Sequence, residues 1–172
     1  MAASKQSLNS FCDKIEIHSL ESIEERAKFP FAPKTILISM GDAGTKPPRL
    51  TNKPDHILRL TFDDMTLAEV KTELNLPESV TSSDETLIEY LLARNIHMFS
   101  DEQARQITAF ILQHSDTDVL ICQCRYGQSR SAGCAAAVAE YFYGNGIDIF
   151  ADDRFYPNKL VYKKVVRALG VC

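Results

Sequence analysis

The apolar and polar positions of this chain alternate between the spacing of strands and the spacing of helices. Four segments have strand length and an apolar, partly β-branched composition: residues 14–18, 35–40, 56–62 and 118–122. In the third of them Leu58, Leu60 and Phe62 recur at period two, which indicates one buried face. The pattern therefore predicts four short strands that are spread along the chain.

Helices are predicted between and after these strands. The clearest begins at Ser100, because residues 100–103 have the form of a capping box and apolar residues follow at helical spacing. Further helices are predicted for 22–28, 131–140 and 157–169. The alternation predicts an α/β fold with a central, mostly parallel sheet flanked by helices. A length of 172 residues with 45% hydrophobic content suits one domain over residues 1–172.

Residues 124–131, Cys-Arg-Tyr-Gly-Gln-Ser-Arg-Ser, have the most distinctive chemistry. They lie between a predicted buried strand and a helix of small residues, where backbone N–H groups and the helix dipole favour an anion. Gly127 can adopt the positive φ that such a turn requires. The spacing puts the thiol of Cys124 and the guanidinium of Arg130 at the two ends of a loop short enough to wrap one phosphate.

Each residue type in this loop suits phosphoryl transfer. The loop amides, the helix dipole and the guanidinium favour Cys124 as a thiolate, which is the nucleophilic form. Arg130 can hold two phosphate oxygens with its planar fork. Ser131 can donate its hydroxyl to the sulfur and ease its departure in a second step. The predicted phosphate-binding residues are Cys124, Arg125, Tyr126, Gly127, Gln128, Ser129 and Arg130.

Residues 119–139 resemble the signature of the protein tyrosine phosphatase superfamily, and the loop is most similar to that of its dual-specificity branch. The pair Pro157-Asn158 resembles the start of the last helix in dual-specificity folds. The resemblance implies a single-domain dual-specificity-phosphatase-like fold. It also implies a phosphomonoester hydrolase that works through a thiophosphoryl-enzyme intermediate. Family members commonly have a histidine before the nucleophile, where this chain has Gln123.

The mechanism of the superfamily also requires an aspartic acid, which protonates the leaving oxygen and then acts as a base toward water. The predicted strand 56–62 runs into Asp63 and Asp64, so the acid is expected in that pair. The resemblance favours Asp64, because related sequences end the strand with an aspartate before an apolar residue. As an alternative, either aspartate caps a turn.

Two longer segments are predicted to surround the pocket. Residues 41–54 are rich in Gly, Pro, Asp and Thr and are expected to emerge at the active end of the sheet. Residues 66–98 are predicted to be an insertion relative to compact family members. That insertion leaves Asp84 and Asp101 as lesser candidates for the general acid.

Composition and charge limit the function further. The formal net charge of −4 disfavours binding to nucleic acid or to an anionic membrane. No apolar run approaches the roughly 20 residues of a membrane span, and the start lacks the core of a signal peptide. Five cysteines without metal-ligand spacing suit a reducing compartment. We therefore expect a cytoplasmic enzyme without a metal or other cofactor, which acts on a phosphorylated protein or a small phosphomonoester.

Two other functions fit part of the pattern. A chain that keeps the fold without catalysis would be a phosphate-binding pseudophosphatase or interaction module, and the joint presence of Cys124, Arg130, Ser131 and the aspartate pair argues against it. Sulfur transfer and arsenate reduction also use cysteine loops. However, a rhodanese loop closes one residue earlier, and the low-molecular-weight phosphatase and reductase group has its cysteine near the N-terminus. The substrate stays open among phosphotyrosine, phosphoserine or phosphothreonine, phosphoinositides and RNA 5′-phosphates.

Overall fold

A central parallel sheet organises the fold. The computed structural model describes residues 12–170. The elements follow in the order β1 (Lys14–His18), α1 (Leu20–Arg26), β2 (Thr35–Gly41), β3 (His56–Thr61), α2 (Leu67–Leu74), α3 (Glu85–Leu92), α4 (Asp101–Gln113), β4 (Val119–Gln123), α5 (Arg130–Tyr143), α6 (Ile147–Ala151) and α7 (Lys159–Leu169). The strand order is β1-β4-β2-β3, and every neighbouring pair is parallel. The predicted α/β fold with a central parallel sheet and flanking helices is confirmed.

The parallel sheet brings the predicted site residues to one edge. All four strands point the same way, so the loops that follow them emerge together at their carboxyl ends. Cys124 directly follows β4, and the pair Asp63-Asp64 comes soon after β3. Strand β2 lies between β3 and β4 and is buried along its whole length, which is typical of a strand covered on both faces.

The main core lies between the sheet and helices α4, α5 and α7. Helix α5 is buried from Arg130 through Ala139, and its small residues let neighbouring elements approach closely. At Gly133 an added Cβ would lie 2.6 Å from the backbone oxygen of Asn158. This close approach holds the start of α7 against the first turn of α5.

The predicted insertion, residues 66–98, contains two helices of its own. Helices α2 and α3 pack around Val70, Leu87 and Leu91, and Met98 contacts both this small cluster and the main core. The side chain of Asp84 caps α3 by accepting a hydrogen bond from the N–H of Leu87 at 3.2 Å. That contact gives Asp84 a structural role in the insertion.

Two helices, α1 and α7, begin at residues other than those predicted, and one short helix was not predicted. Helix α1 begins two residues earlier than expected, at Leu20, because Ser19 caps it. Helix α7 begins two residues later, because Asn158 is its N-cap, so Pro157 precedes the helix. Helix α6 was not predicted; five residues are too few to show a helical period. Among residues 12–170, no helix is both long and apolar enough to cross a bilayer.

Candidate functional site

The loop from Cys124 to Ser129 connects β4 to α5 and is fixed by its neighbours. Gly127 is buried with φ of 69°, and a Cβ at this position would lie 2.6 Å from the backbone nitrogen of Ser19. The carbonyl of Arg125 accepts a hydrogen bond from the N–H of Leu20, at 3.1 Å, and that of Gln128 accepts one from the N–H of Tyr156, at 2.9 Å. The loop carbonyls are thus used to attach the loop to the rest of the fold.

Most N–H groups of the same loop have no acceptor in the described part of the chain, the exception being that of Cys124, which donates to the carbonyl of His18 at 3.2 Å. Those of residues 125–129 donate no hydrogen bond to any atom within residues 12–170. Helix α5 also begins without a side-chain cap, although Ser129 occupies the N-cap position. Unpaired N–H groups at a helix N-terminus bind anions, because the N–H dipoles and the helix dipole add together. The loop therefore has the donors that a tetrahedral oxyanion requires.

The predicted nucleophile, Cys124, is the buried first residue of this loop. Cys124 is 1% exposed, and its Sγ lies 3.1 Å from the hydroxyl of Ser131, which is fully buried in α5. A hydroxyl at this distance can donate a hydrogen bond to a thiolate. The structure thus brings Cys124 and Ser131 together as the sequence predicts.

The guanidinium of Arg130 is buried and only partly paired. Its Nη1 donates to Oδ1 of Asp42 and to the carbonyl of Phe62, each at 2.7 Å. Its Nε is buried and has no hydrogen-bond partner in the described part of the chain. An unpaired buried donor of a charged group is costly. An oxyanion in the adjacent loop would supply the missing acceptor.

Asp42 was not predicted as a site residue. It directly follows β2, at the same edge of the sheet from which the other site residues emerge. One feature of the sequence could have identified Asp42: it is an acidic residue just after a predicted buried strand. Asp63 and Asp64 occupy the same kind of position after β3. The predicted pocket-wall segment 41–54 does contribute to the site through this residue.

The two adjacent aspartates have different surroundings. Asp64 Oδ1 accepts hydrogen bonds from the hydroxyl of Ser129 at 2.7 Å and from the side-chain amide of Asn158 at 2.9 Å. Its Oδ2 lies 3.8 Å from Nε of Arg130. Asp63 instead accepts a hydrogen bond from the N–H of His97 at 2.7 Å and returns one from its own N–H to the carbonyl of the same residue. Only Asp64 contacts the loop.

The lesser acid candidates have partners elsewhere. Asp101 pairs with Lys164 at 3.2 Å and accepts a hydrogen bond from Ser83. Burial acts to raise the pKa of Asp101, but the hydrogen bond and charge of Lys164 outweigh it and lower that pKa. Asp84 is the cap of α3 described above. Neither carboxylate therefore has the loop contacts that Asp64 has.

The side chain of Gln123 supports the first residue of the loop by a hydrogen bond. It is buried, accepts a hydrogen bond from the hydroxyl of Ser39 at 2.6 Å, and donates one to the carbonyl of Cys124 at 2.8 Å. Ser39 in turn accepts one from Arg59 at 2.8 Å. Burial, and then the nearby charge of Arg130, lower the pKa of Arg59. This chain of contacts crosses three strands, so the sequence alone does not reveal it.

The remaining predicted loop residues form the rim. Arg125, Tyr126 and Gln128 are exposed, and the ring of Tyr126 is among the most exposed apolar groups of the described residues. Their side chains are free to contact whatever surrounds a bound phosphate. Their backbone N–H groups, rather than their side chains, belong to the anion site.

The other described cysteines are free thiols within the core. Cys12, Cys122 and Cys134 are buried, as is Cys124, and none is in a disulfide. A hydrogen bond with Cys134, and then burial, raise the pKa of Cys122 well above its ordinary value. Cys122 therefore behaves as a small buried apolar residue, and Cys172 lies outside the described residues. Within residues 12–170, no group of three or more His, Cys, Asp or Glu side chains is arranged to hold a metal ion.

Neither a model of a protein family nor a curated protein sequence matches this chain.

Proposed function

We propose that this protein is a phosphomonoester hydrolase, a cysteine-dependent protein tyrosine or dual-specificity phosphatase. The main support is the coincidence, in one strand-to-helix loop, of a buried cysteine, unpaired N–H groups and an arginine with a buried unpaired Nε. Each of the three suits a phosphate, and the loop that joins Cys124 to Arg130 is short enough to wrap one tetrahedral oxyanion. A fold of the dual-specificity type is part of the same proposal.

In the first step the thiolate of Cys124 attacks phosphorus, so that an S–P bond forms while the bond to the leaving oxygen breaks. Arg130 and the loop N–H groups hold the three other phosphate oxygens and stabilise the charge that develops on them. Asp64 gives a proton to the leaving oxygen. Its hydrogen bonds from Ser129 and Asn158 hold its carboxylate at the edge of the loop.

In the second step water attacks the thiophosphoryl intermediate. Asp64, now a carboxylate, accepts a proton from the water, and the S–P bond breaks to release inorganic phosphate. The hydroxyl of Ser131, 3.1 Å from Sγ, donates to the departing sulfur and stabilises the thiolate. The enzyme returns to its starting state without any other reactant.

Asp42 orients the arginine in both steps. Its carboxylate and the carbonyl of Phe62 hold Nη1 of Arg130, which leaves Nε directed away from these two acceptors. Because the guanidinium is already fixed, it loses little conformational entropy when phosphate binds. More of the interaction free energy is therefore available to stabilise the transition state. We also propose a cytoplasmic location, because a thiolate nucleophile needs a reducing compartment.

The test is hydrolysis of an aryl phosphate by the full chain and by the variant Cys124→Ser. We expect the variant to lose turnover, because an alcohol without an adjacent base is a poor nucleophile at neutral pH. Retained binding of tungstate would show that the variant is folded. Turnover that survives in Cys124→Ser, or wild-type turnover that a chelator abolishes, would contradict the proposal.

A further inference from the structure

A groove of about 730 Å³ is lined by Asp64 and Ser129 and by residues of α7 from Lys159 to Arg167. We call it the α7 groove. Its cationic lining residues are Lys159, Lys163, Lys164 and Arg167. Its apolar lining residues include Leu67, Ala68, Phe150 and Phe155. Since Ser129 closes the candidate phosphate loop, a substrate bound there would pass directly into this groove.

Three of the cations form a regular row. Lys159, Lys163 and Arg167 follow at i, i+4 and i+8 and are all exposed, so they share one face of the helix over about 12 Å. None of them lies within 4 Å of a carboxylate in the described part of the chain. Lys164, by contrast, is buried and paired with Asp101. The row thus has no ion-pair partner within 4 Å among the described residues, although the charge of Arg167 helps to lower the pKa of Asp101.

Repulsion within the row opposes helix formation, although Arg167, in the last turn of α7, is favourably placed with respect to the helix dipole. Like charges four residues apart on a helix repel one another, at a cost of a few tenths of a kcal/mol per pair. The chain as a whole has a formal net charge of −4. The electrostatic potential near the row is therefore positive on a protein that is negative overall. A local positive field beside a phosphate site attracts further negative charge on the substrate.

The other lining residues indicate which kind of anion fits. The apolar side chains suit a ligand that has apolar groups beside its charges. The carboxylate of Glu69 also lines the groove, held by the N–H and hydroxyl of Thr66. It would repel a ligand that is charged on every face, such as a nucleic-acid backbone. An extended peptide with acidic and apolar residues on alternate sides matches this mixed lining.

We propose that the α7 groove is the subsite for acidic residues that flank the phosphorylated residue of a protein substrate. This inference rests on the proposed phosphatase activity. At about 3.3 Å per residue, the 12 Å row covers about four residues of an extended peptide. Two acidic side chains of such a segment can therefore face Lys163 and Arg167 while the phosphate occupies the loop.

The test compares two phosphotyrosyl peptides, one with glutamates and one with glutamines at the positions that flank the phosphotyrosine. The ratio of their kcat/KM values is measured for the full-length wild type and for the double variant Lys163→Gln, Arg167→Gln. The matched control is Lys28→Gln, Lys53→Gln, which removes the same charge from two exposed lysines that do not line the groove. Loss of the two groove charges should lower the acidic-to-neutral ratio about five- to tenfold, and raised salt should lower the wild-type ratio.

The possible results distinguish a failure of the groove assignment from a failure of the proposed phosphatase activity. An unchanged ratio in the groove variant, or an equal fall in the control, would overturn the groove assignment. Stronger competition by 5′-phosphorylated RNA or by phosphoinositide vesicles, lost in the groove variant, would show that the occupant is not a peptide. Binding of both peptides to the Cys124→Ser variant is measured by fluorescence anisotropy. If no phosphopeptide is hydrolysed but charge-dependent binding persists, the groove stands and the proposed function fails.

Discussion

At the scale of single residues, the carboxylates of Asp63 and Asp64 are adjacent in sequence but have different contacts. Both follow the end of β3 at Thr61. Asp64 contacts Ser129 and Asn158, whereas Asp63 binds the backbone of His97. The assignment of the general acid to Asp64 stays a prediction, and kinetics can test it.

The prediction is that Asp64→Asn slows hydrolysis of a tyrosyl or alkyl phosphate by about 10² to 10⁴. An amide cannot protonate the leaving oxygen, so an activated ester with a good leaving group should be slowed much less. The measurement is kcat for a series of aryl phosphates with leaving groups of different acidity. Asp63→Asn is the matched control and should show no such dependence. A loss that depends on the leaving group in Asp63→Asn would reverse the assignment.

A second prediction at this scale concerns Asp42, a positioning residue for Arg130. Asp42→Ala removes the acceptor of Nη1, and hydrogen bonds to charged groups contribute about 1.5–3 kcal/mol. Because the side chain of Asp42 is 43% exposed, we expect the lower end, about a tenfold loss of kcat/KM and of phosphate affinity. Asp42→Asn keeps an acceptor and should fall between Asp42→Ala and the wild type.

The control for this prediction is Asp116→Asn, which changes a carboxylate that is 80% exposed and has one long ion pair, with Lys34. It should change neither kcat/KM nor phosphate affinity. Equal losses in the Asp42 and Asp116 variants would mean that net charge, rather than the orientation of Arg130, causes the effect.

At the scale of elements, the loop between β4 and α5 depends on a single backbone conformation. Gly127 has a positive φ and faces the backbone of residues 18 and 19 at a distance that leaves no room for a side chain. The start of α1 therefore helps to shape the loop through direct backbone contact. Positive φ costs other L-residues about 1–2 kcal/mol.

We predict that Gly127→Ala lowers the free energy of unfolding by more than about 2 kcal/mol and reduces kcat/KM strongly, because both φ and the contact with Ser19 oppose a Cβ. Gly44→Ala is the matched control. Gly44 also has a positive φ, but a Cβ at this position would meet nothing within 4 Å. It should lose only about 1 kcal/mol. Chemical denaturation measures both values, and equal losses would contradict the role of the close approach.

At the scale of the whole molecule, the parallel sheet places its four carboxyl ends beside the N-terminus of a buried helix. Three hydrophobic clusters of the described residues support this arrangement: the main core, a small one formed by Ile23, Leu37 and Ile121, and the one in the insertion. Binding of an oxyanion to the folded state alone would stabilise the entire domain by mass action. That coupling gives a test that does not depend on catalysis.

We predict that tungstate at about 100 times its Kd raises the free energy of unfolding by about 2.7 kcal/mol. For a chain of this size the Tm should rise by about 5–10 °C. The measurement is thermal unfolding with increasing tungstate. Arg130→Met should show a much smaller rise, because Nε is lost, while Asp116→Asn should behave like the wild type. An equal rise in wild type and Arg130→Met would place the bound anion outside the loop.

Local patterns in the sequence predicted most of the elements. All four strands were located to within one residue at either end, because buried strands have short apolar runs with clear ends. The capping box at Ser100 correctly predicted the start of α4. The predicted starts of α1 and α7 were each wrong by two residues. Ser19 and Asn158 are the N-caps of these helices, and the apolar spacing does not mark them. The two helices of the insertion were not predicted, although Thr66 and Glu69 form a capping box at the start of α2 like the one at Ser100.

The sequence by itself determined the α/β architecture and the position of a Cys-x5-Arg loop between a strand and a helix, because both follow from residues that are close together in the chain. The tertiary structure alone showed that Asp42, Asp64 and Asn158 converge on this loop, and that Gln123 is held through Ser39. These contacts join residues 65 to 94 positions apart for Asp64, and 84 and 88 positions apart for Gln123 and Asp42. Strand order and register determine such contacts, and no local spacing records them.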